Sequence, residues 1–487
     1  MTEFHKQTLS NDGLRRVAAD ITGDLTGKMT RSAARNVILI LADDMGYGDF
    51  GFANPDAGCT PSLDEIAATS RIYSQHTSAS PVCAPARAAL LTGRYAQRTG
   101  VIDTLEARGT DRLARGEVTV ADVLRRQGVA TGLVGKWHTG AIGAEYHPLR
   151  RGFDEFVGFR GGWQDYWDWN LERNGARVAA DGRYLTDVLG AEAVDFVRRH
   201  RDQPFFLHVA FNAPHFPYQA PGALIARHRR PDRTERVATV YAMIEAMDAA
   251  IGRLREAVDD CGLAEDTLFL VTSDNGPELG GVGDESAARP NHGLAGAKQH
   301  VLEGGIRVPL LAHQPGVVRA GDDHSFVHGV DLAPTILGHL GVDHPAPKPL
   351  DGRDLGATLD GGEVSDIPRF WQWTRYAPQL GTNAAVRDGR WKLVRPAVEE
   401  LLGLDQRDEL IDHDIKRHPE RYRDVDDPPV LIHPVDTEPM LFDLEQDPGE
   451  QIDVSAENPF VRARLLDALA DWYDEVERER RLIGALR

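Results

Sequence analysis

The chain has 487 residues, 41% of them hydrophobic and 27% charged, the balance of a globular protein too long for one ordinary domain. Its 75 Asp and Glu against 55 Lys and Arg leave a net charge of -20, which argues against a general nucleic-acid binder, because phosphate backbones require a basic face. Three cysteines, Cys59, Cys83 and Cys261, make no disulfide framework.

The opening stretch MTEFHKQTLSNDGLRRVAAD lacks the apolar core of a signal peptide. No apolar run reaches the ~18 residues of a membrane span, so the expectation is a cytoplasmic protein without a membrane partner. Residues 1–35 are polar and read as an N-terminal appendage. From there short apolar runs alternate with helical patterns, which predicts a parallel α/β sheet. The clearest strands are NVILIL (36–41), TGLVG (131–135), PFFLHVA (204–210), TLFLVTS (267–273) and VPLLAH (308–313).

Amphipathic helices are predicted between them, from Thr119, over 186–200 and over 242–258; Thr119 and Asp122 match a capping box. After about 365 the pattern changes to short strands joined by turns, in FWQWTRYAP, AAVRDGRWKLVRP and EPMLFDLEQDPGE. An amphipathic segment over 460–480 closes the chain. The expected fold is thus α/β: a large mixed, mostly parallel sheet sandwiched by helices over 36–365, and a smaller α+β subdomain with an antiparallel sheet over 366–487.

Ligands of open α/β sheets bind outside the carboxyl ends of the strands. The residues that follow each predicted strand are therefore the first candidates. Asp43 and Asp44 follow the first strand, Lys136 and His138 the second, His215 the third, and Asp274 and Asn275 the fourth. The oxygen donors Asp43, Asp44, Asp274 and Asn275 suit Ca²⁺, or Mg²⁺, better than zinc, whereas Asp49 reads as a cap or turn residue. Lys136, Lys298 and Arg87, with His138 and His215, would form a cation cluster beside such a metal, the pattern that recognises a sulfate or phosphate. Taken singly, each of these residues also has an ordinary reading as a turn, a surface lysine or a satisfied histidine. Arg307, in EGGIRVP, reads as the partner of a carboxylate.

Cys83 sits between two prolines at the mouth of a predicted helix, in SPVCAPARAALLTGRY. A bare thiolate is a soft ligand and a poor match to an oxygen-ligated cation. CAPAR (83–87) with LLTGR (90–94) resembles the signature of the type I sulfatases, and LADDMGYGD, GKWH, APH, SDNG, EGGIRVP and LFDLEQDPGE fall in that family's order from about 36 to 450. Two positions depart from the usual pattern: Thr139 follows GKWH where Leu is usual, and Ala86 stands where Ser is frequent.

The resemblance implies an alkaline-phosphatase-like fold and conversion of Cys83 to Cα-formylglycine by a formylglycine-generating enzyme that reads Cys83, Pro85 and Arg87. It implies Ca²⁺ held by Asp43, Asp44, Asp274, Asn275 and the modified Cys83. The hydrated aldehyde would supply one hydroxyl to attack the sulfur and a second whose deprotonation expels sulfate. Arg87 and Lys136 would orient that gem-diol, and His138 would act as base. His215 and Lys298 would bind sulfate oxygens, and either could protonate the leaving alcohol.

The loop RGGWQDYWDWN (160–170) packs Trp163, Trp167 and Trp169 beside Arg160. It reads either as a carbohydrate subsite, with Arg160 meeting a second anionic group, or as a cover over the sheet. The stretch RDELIDHDIKRHPERYRDVDDPP reads as a solvated surface insertion or a flap. Rival functions are a phosphomonoester, phosphodiester or phosphonate hydrolase on the same fold, and a binding protein without catalysis. A homo-oligomer is compatible with everything above.

Overall fold

The computed structural model describes residues 35–344, 348–422 and 433–485. The expected appendage therefore lies outside the described residues, except for Arg35, and so do residues 423–429 of the charge-rich stretch.

Ten described strands form one sheet, in the order Gly321–Asp323, Arg71–Tyr73, Leu310–His313, Thr267–Ser273, Asn36–Ala42, Phe205–Ala210, Ala130–Lys136, Glu155–Phe159, Asn170–Arg173 and Ala176–Ala179. The five centred on Asn36–Ala42, from Thr267–Ser273 to Glu155–Phe159, run parallel. Leu310–His313 pairs antiparallel with both of its neighbours, and the hairpin 170–179 adds an antiparallel edge. All five predicted strands are present; VPLLAH begins its pairing only at Leu310. Five strands of this sheet carried no clear sequence signal: Gly321–Asp323, Arg71–Tyr73, Glu155–Phe159, and the two arms of the hairpin.

The buried strand Asn36–Ala42 shows why the sheet has two covered faces. Ile38 and Ile40 point to one core, against Val188 and Leu189 of the helix Leu185–His200 and Met243, Met247 and Ile251 of the helix Glu235–Asp260. Val37, Leu39 and Leu41 point to the other, with Val123 and Leu124 of Val120–Arg126 and Ile336 and Leu337 of Leu332–His339. An apolar run buried on both faces is the mark of a central parallel strand. Thr119 and Asp122 close the expected capping box, each side chain accepting the other's backbone N–H at 3.0 Å.

The C-terminal part folds as a four-stranded antiparallel sheet, Arg369–Gln372, Ala384–Asp388, Trp391–Arg395 and Met440–Asp443, backed by the helix Pro459–Ala485. This unit docks on the large sheet's own helices. Leu465, Leu469, Trp472 and Val476 share a core with Ala89 and Tyr95, and Trp472 stacks on Phe370 at 5.2 Å. Behind that seam Lys392 bonds Glu303 at 2.8 Å and Glu450 at 2.9 Å, with all three buried. Arg307 lies 3.8 Å from the same Glu303.

No described helix is long and apolar enough to cross a membrane. Truncating Trp472 removes the largest side chain from the docking seam, so Trp472→Ala should cost about 3–5 kcal/mol. A drop in melting temperature together with earlier proteolytic cutting inside 459–485 is the expected result; unchanged melting would show that the seam does not hold the two parts together.

Candidate active site

Strand register assembles the site. Asn36–Ala42 and Thr267–Ser273 pair in parallel with Ala42 opposite Ser273, so Asp43 and Asp274 leave the sheet side by side. The N–H of Asp274 donates to Ala42 O at 3.1 Å and that of Asp43 to Ala213 O at 3.0 Å. The chain then turns sharply at Asp44, whose φ of 65° is a left-handed conformation uncommon for a residue with a Cβ. Its N–H meets Asp274 Oδ1 at 3.2 Å.

Cys83 is the first residue of the helix Cys83–Thr92, which ends at Gly93 in a left-handed C-cap with φ 68°. The helix points Cys83 Sγ at Asp43 Oδ1 (3.5 Å) and Asp44 Oδ1 (4.0 Å). One turn later Arg87 places Nε and Nη2 on Asp274 Oδ2 at 2.9 and 2.7 Å, and Nη2 lies 3.5 Å from Asp43. Lys136 Nζ bonds Asp43 Oδ2 at 2.7 Å, and Lys298 Nζ bonds Asp44 Oδ2 at 2.7 Å. Three buried carboxylates thus face three cations, each carboxylate with its own.

The pKa shifts follow from this burial. Burial pushes the Asp43 carboxyl up to about 7, with Lys136 pulling it back and Asp274 adding to the rise. Burial also disfavours ionised Asp44, but Lys298, then His215 and Lys136, overcome it and hold the group below the usual carboxylate range. The Cys83 thiol is pushed up to about 12 by burial, against the pull of Lys136 and Lys298. As a thiol it is therefore protonated and inert near neutral pH.

The two histidines are aimed differently. His215 Nδ1 lies 2.6 Å from Phe216 O, which can only accept, so the ring proton sits on Nδ1 and the Nε2 lone pair faces Asp44 at 3.7 Å. His138 Nε2 lies 3.2 Å from Thr104 O, which by the same logic leaves Nδ1 as the free base; that atom is buried without a partner. Burial, then Lys136, Lys416 and Arg87, hold the His138 imidazole well below its ordinary value, so it is neutral at pH 7. His138 also has a positive φ, 52°, and Gly162 packs against its ring: a Cβ there would come within 2.8 Å of Cε1.

Donor atoms of Asp43, Asp44, Cys83 and His215 all lie within 4.8 Å of one another. Asn275 Nδ2 bonds Asp44 Oδ1 at 2.8 Å, while its Oδ1 is buried with no partner. Converging carboxylates beside an orphaned amide oxygen fit a hard, oxygen-seeking divalent cation. Asp274 is less committed to such an ion, because its Oδ2 is taken by Arg87 and its Oδ1 by the Asp44 N–H. His215, expected to bind sulfate oxygens or to protonate the leaving alcohol, also brings a ring nitrogen within 4.8 Å of the donor atoms of Asp43, Asp44 and Cys83.

Asp49 caps Gly46 N at 2.8 Å and pairs with Arg289 at 2.7 Å, away from this cluster. In the aromatic loop, Arg160 and Trp163 line one cavity of about 330 Å³. Trp163 packs edge-on against Phe216 and His413, each at 5.7 Å. Trp167 is not with them; it is 40% exposed and leans on Tyr184. Trp169 is a cover, buried with Nε1 donating to Arg183 O.

Two groups beside His138 had no sequence signal. Glu106 Oε1 lies 3.9 Å from His138 Nε2 and accepts Gly162 N–H at 2.5 Å and Lys416 Nζ at 2.6 Å. Lys416 belongs to the helix Gln406–Arg417, within the stretch expected to be a solvated insertion. Arg407, Glu409, Leu410, His413 and Arg417 are exposed as expected, but the reading is corrected for Asp408, Ile415 and Lys416, which are buried where the helix packs on the site loop. A charge-rich segment conceals such an anchor, since only the partner across the fold distinguishes it from surface lysines.

The family profile described as Sulfatase matches residues 35–342. The chain belongs to the sulfatase family. It is 30% identical over 467 residues to N-acetylgalactosamine-6-sulfatase of Homo sapiens, covering 89% of this chain and 83% of that one. It is 32% identical over 464 residues to arylsulfatase A of Bos taurus, covering 88% and 85%. The crystal structure of Ps i-CgsB in complex with k-i-k-neocarrahexaose superposes with a TM-score of 0.74 at 30% identity, over 90% of this chain and 92% of that one. This sulfatase is accordingly an enzyme that hydrolyses sulfate esters, on the alkaline-phosphatase-like fold.

Removing Lys416 leaves Glu106 buried and without its cation, and deprives the half-buried Asp412 of the same partner, so Lys416→Met should destabilise the sulfatase by about 3–5 kcal/mol. The pair Glu106→Gln/Lys416→Met removes the stranded charge and should recover most of that loss in a thermal melt. A double variant no more stable than the single one would show that the ion pair is not what holds the helix over the loop.

Proposed function

We propose that this sulfatase cleaves a sulfate ester of a sulfated carbohydrate, using Cys83 as Cα-formylglycine and a bound Ca²⁺, with Mg²⁺ as the other hard cation the donors suit. The observation that carries the reading is the meeting of Cys83 with Asp43, Asp44 and His215, ringed by Arg87, Lys136 and Lys298. A thiol pushed up to about 12 has no use there; a modified Cys83 does. The carbohydrate rests on the names of the relatives, an N-acetylgalactosamine-6-sulfatase and a neocarrahexaose complex. Those names also favour a sulfate ester over the phosphoester and phosphonate rivals.

Asp43, Asp44, Asn275 and modified Cys83 would hold the ion, with Asp274 bracing the turn and His215 beside it. When bound, the cation acts as a Lewis acid that favours a deprotonated nucleophile and polarises a sulfate oxygen, while the hydrated formylglycine contributes the two hydroxyls. The remaining work falls to the chain's own side chains. Arg87 and Lys136 flank Cys83 and fix where an oxyanion can sit. Lys298 keeps its proton because Asp44 outweighs burial, so it can bind a sulfate oxygen and donate to the leaving alcohol. His215 is held neutral by burial and by Lys298, which leaves it an acceptor. Neutral His138, with Nδ1 free, is the group able to take a proton.

Two measurements check this. Protein made together with a formylglycine-generating enzyme should yield a Cys83 peptide lighter than the cysteine form by about 18 mass units, or its hydrate, and should turn over p-nitrophenyl sulfate. An unmodified thiol under those conditions would remove the nucleophile from the scheme. Chelation should abolish turnover, and Ca²⁺ should restore it. Burial pushes Asp43 up to about 7, so a cation binding near neutral pH should displace protons, and its affinity should weaken as pH falls below that value. Calorimetry in two buffers of different ionisation enthalpy reads those protons; none released would mean that Asp43 is not a ligand.

A further inference from the structure

The cavity of about 330 Å³ beside the site lies within the range of small-molecule pockets, about 300–1,000 Å³. Its lining carries Arg160, Arg177, Lys416 and Arg417 against the two carboxylates Glu106 and Glu172. On a chain with net charge -20, such a local excess of cations is the opposite of the average surface.

The two carboxylates do not cancel it. Glu106 is committed to Lys416, which Asp412 also bonds at 3.0 Å, so the uncompensated charge is that of the arginines. Glu172 is hydrogen-bonded to His147 and lies 3.5 Å from Arg160. Arg177 bonds the neutral amide oxygen of Asn170 at 2.9 and 3.1 Å, and neither Arg177 nor Arg417 has a carboxylate within ion-pair distance among the described residues. Guanidinium groups are the side chains best matched to sulfate and carboxylate, because their fork donates two parallel N–H bonds.

The cavity is tied to the catalytic edge by three contacts. His138 N–H donates to Arg160 O at 3.1 Å. Glu106, a wall of the cavity, is 3.9 Å from His138 Nε2. Trp163, another wall, packs on Phe216, the residue after His215. A ligand filling the cavity would therefore lie next to the sulfate-binding cations rather than on them. A lone sulfate ester already has Lys136, Lys298 and Arg87; it has no use for a second set of arginines.

We propose that this cavity is a second anion subsite, which takes a sulfate or carboxylate carried by the saccharide beside the ester being cleaved, with Arg177 and Arg417 as its recognition groups and Arg160 at its inner end. The inference rests on the sulfatase reading and narrows its substrate to saccharides with at least two anionic groups.

The test is direct binding, measured calorimetrically on the full chain with Ca²⁺ present and Cys83 left unmodified. The probes are a monosulfated disaccharide, the same disaccharide with a second sulfate on the adjoining ring, and the same monosulfated disaccharide with a uronate there. At least one dianionic probe should bind ten-fold or more tightly than the monosulfated one, and the arm that does so tells sulfate from carboxylate. Arg177→Gln/Arg417→Gln should bring that preference to within about two-fold. Equal affinity for all three probes, absence of binding, or a preference that survives the double substitution would overturn the subsite. Turnover of p-nitrophenyl sulfate by the modified protein is scored separately: its absence would sink the sulfatase reading while leaving the binding result to decide the subsite.

Discussion

Three carboxylates, Asp43, Asp44 and Asp274, are buried together at one end of a parallel sheet, and like charges at that distance in a poor dielectric repel strongly. Lys136 answers Asp43, Lys298 answers Asp44, and the fork of Arg87 answers Asp274. The balance is close but incomplete, since burial still drives Asp43 up to about 7. Much of the surrounding architecture serves to place these charges: a helix that starts at Cys83, strands whose ends fall in register, and a left-handed turn at Asp44.

The same constraint explains why the second unit is needed. Its sheet and terminal helix press on the helix that begins with Cys83, through Trp472 and Leu469 against Tyr95 and Ala89. Its Lys392 neutralises Glu303, in the segment that follows Lys298. Its Lys416 neutralises Glu106, beside His138. Both lysines come from outside the large sheet, yet each compensates a carboxylate adjacent to a candidate catalytic residue. Precise placement of reacting groups demands such rigid support.

The aromatic loop shows how one short stretch can serve two purposes. Trp169 turns inward, donates its indole N–H to Arg183 O and covers the sheet, whereas Arg160 and Trp163 turn toward the cavity. The cover reading of RGGWQDYWDWN holds for Trp169, while Arg160 and Trp163 face a cavity. Trp167 belongs to neither group. Nothing in the local pattern separates these tryptophans, because their partners, Phe216 and His413 for Trp163, Tyr184 for Trp167 and Arg183 for Trp169, lie elsewhere in the chain.

The sequence by itself determined the five main strands, the capping box at Thr119, the C-terminal antiparallel sheet, and the residues Asp43, Asp44, Cys83, Arg87, Lys136, His138, His215, Asp274, Asn275 and Lys298. These were legible because apolar runs and strand-end positions are local properties, and because motifs such as CAPAR and GKWH are contiguous. What only the tertiary structure decided was the pairing: which lysine meets which aspartate, the placing of His215 beside Asp43, Asp44 and Cys83, and the burial of Lys416 within a mostly exposed insertion. It alone revealed Thr104 and Glu106 beside His138, and the arginine-lined cavity. Each of those depends on groups far apart in the chain, brought within a few ångströms by packing, and the energy of a charge is set by its neighbours in space rather than in sequence.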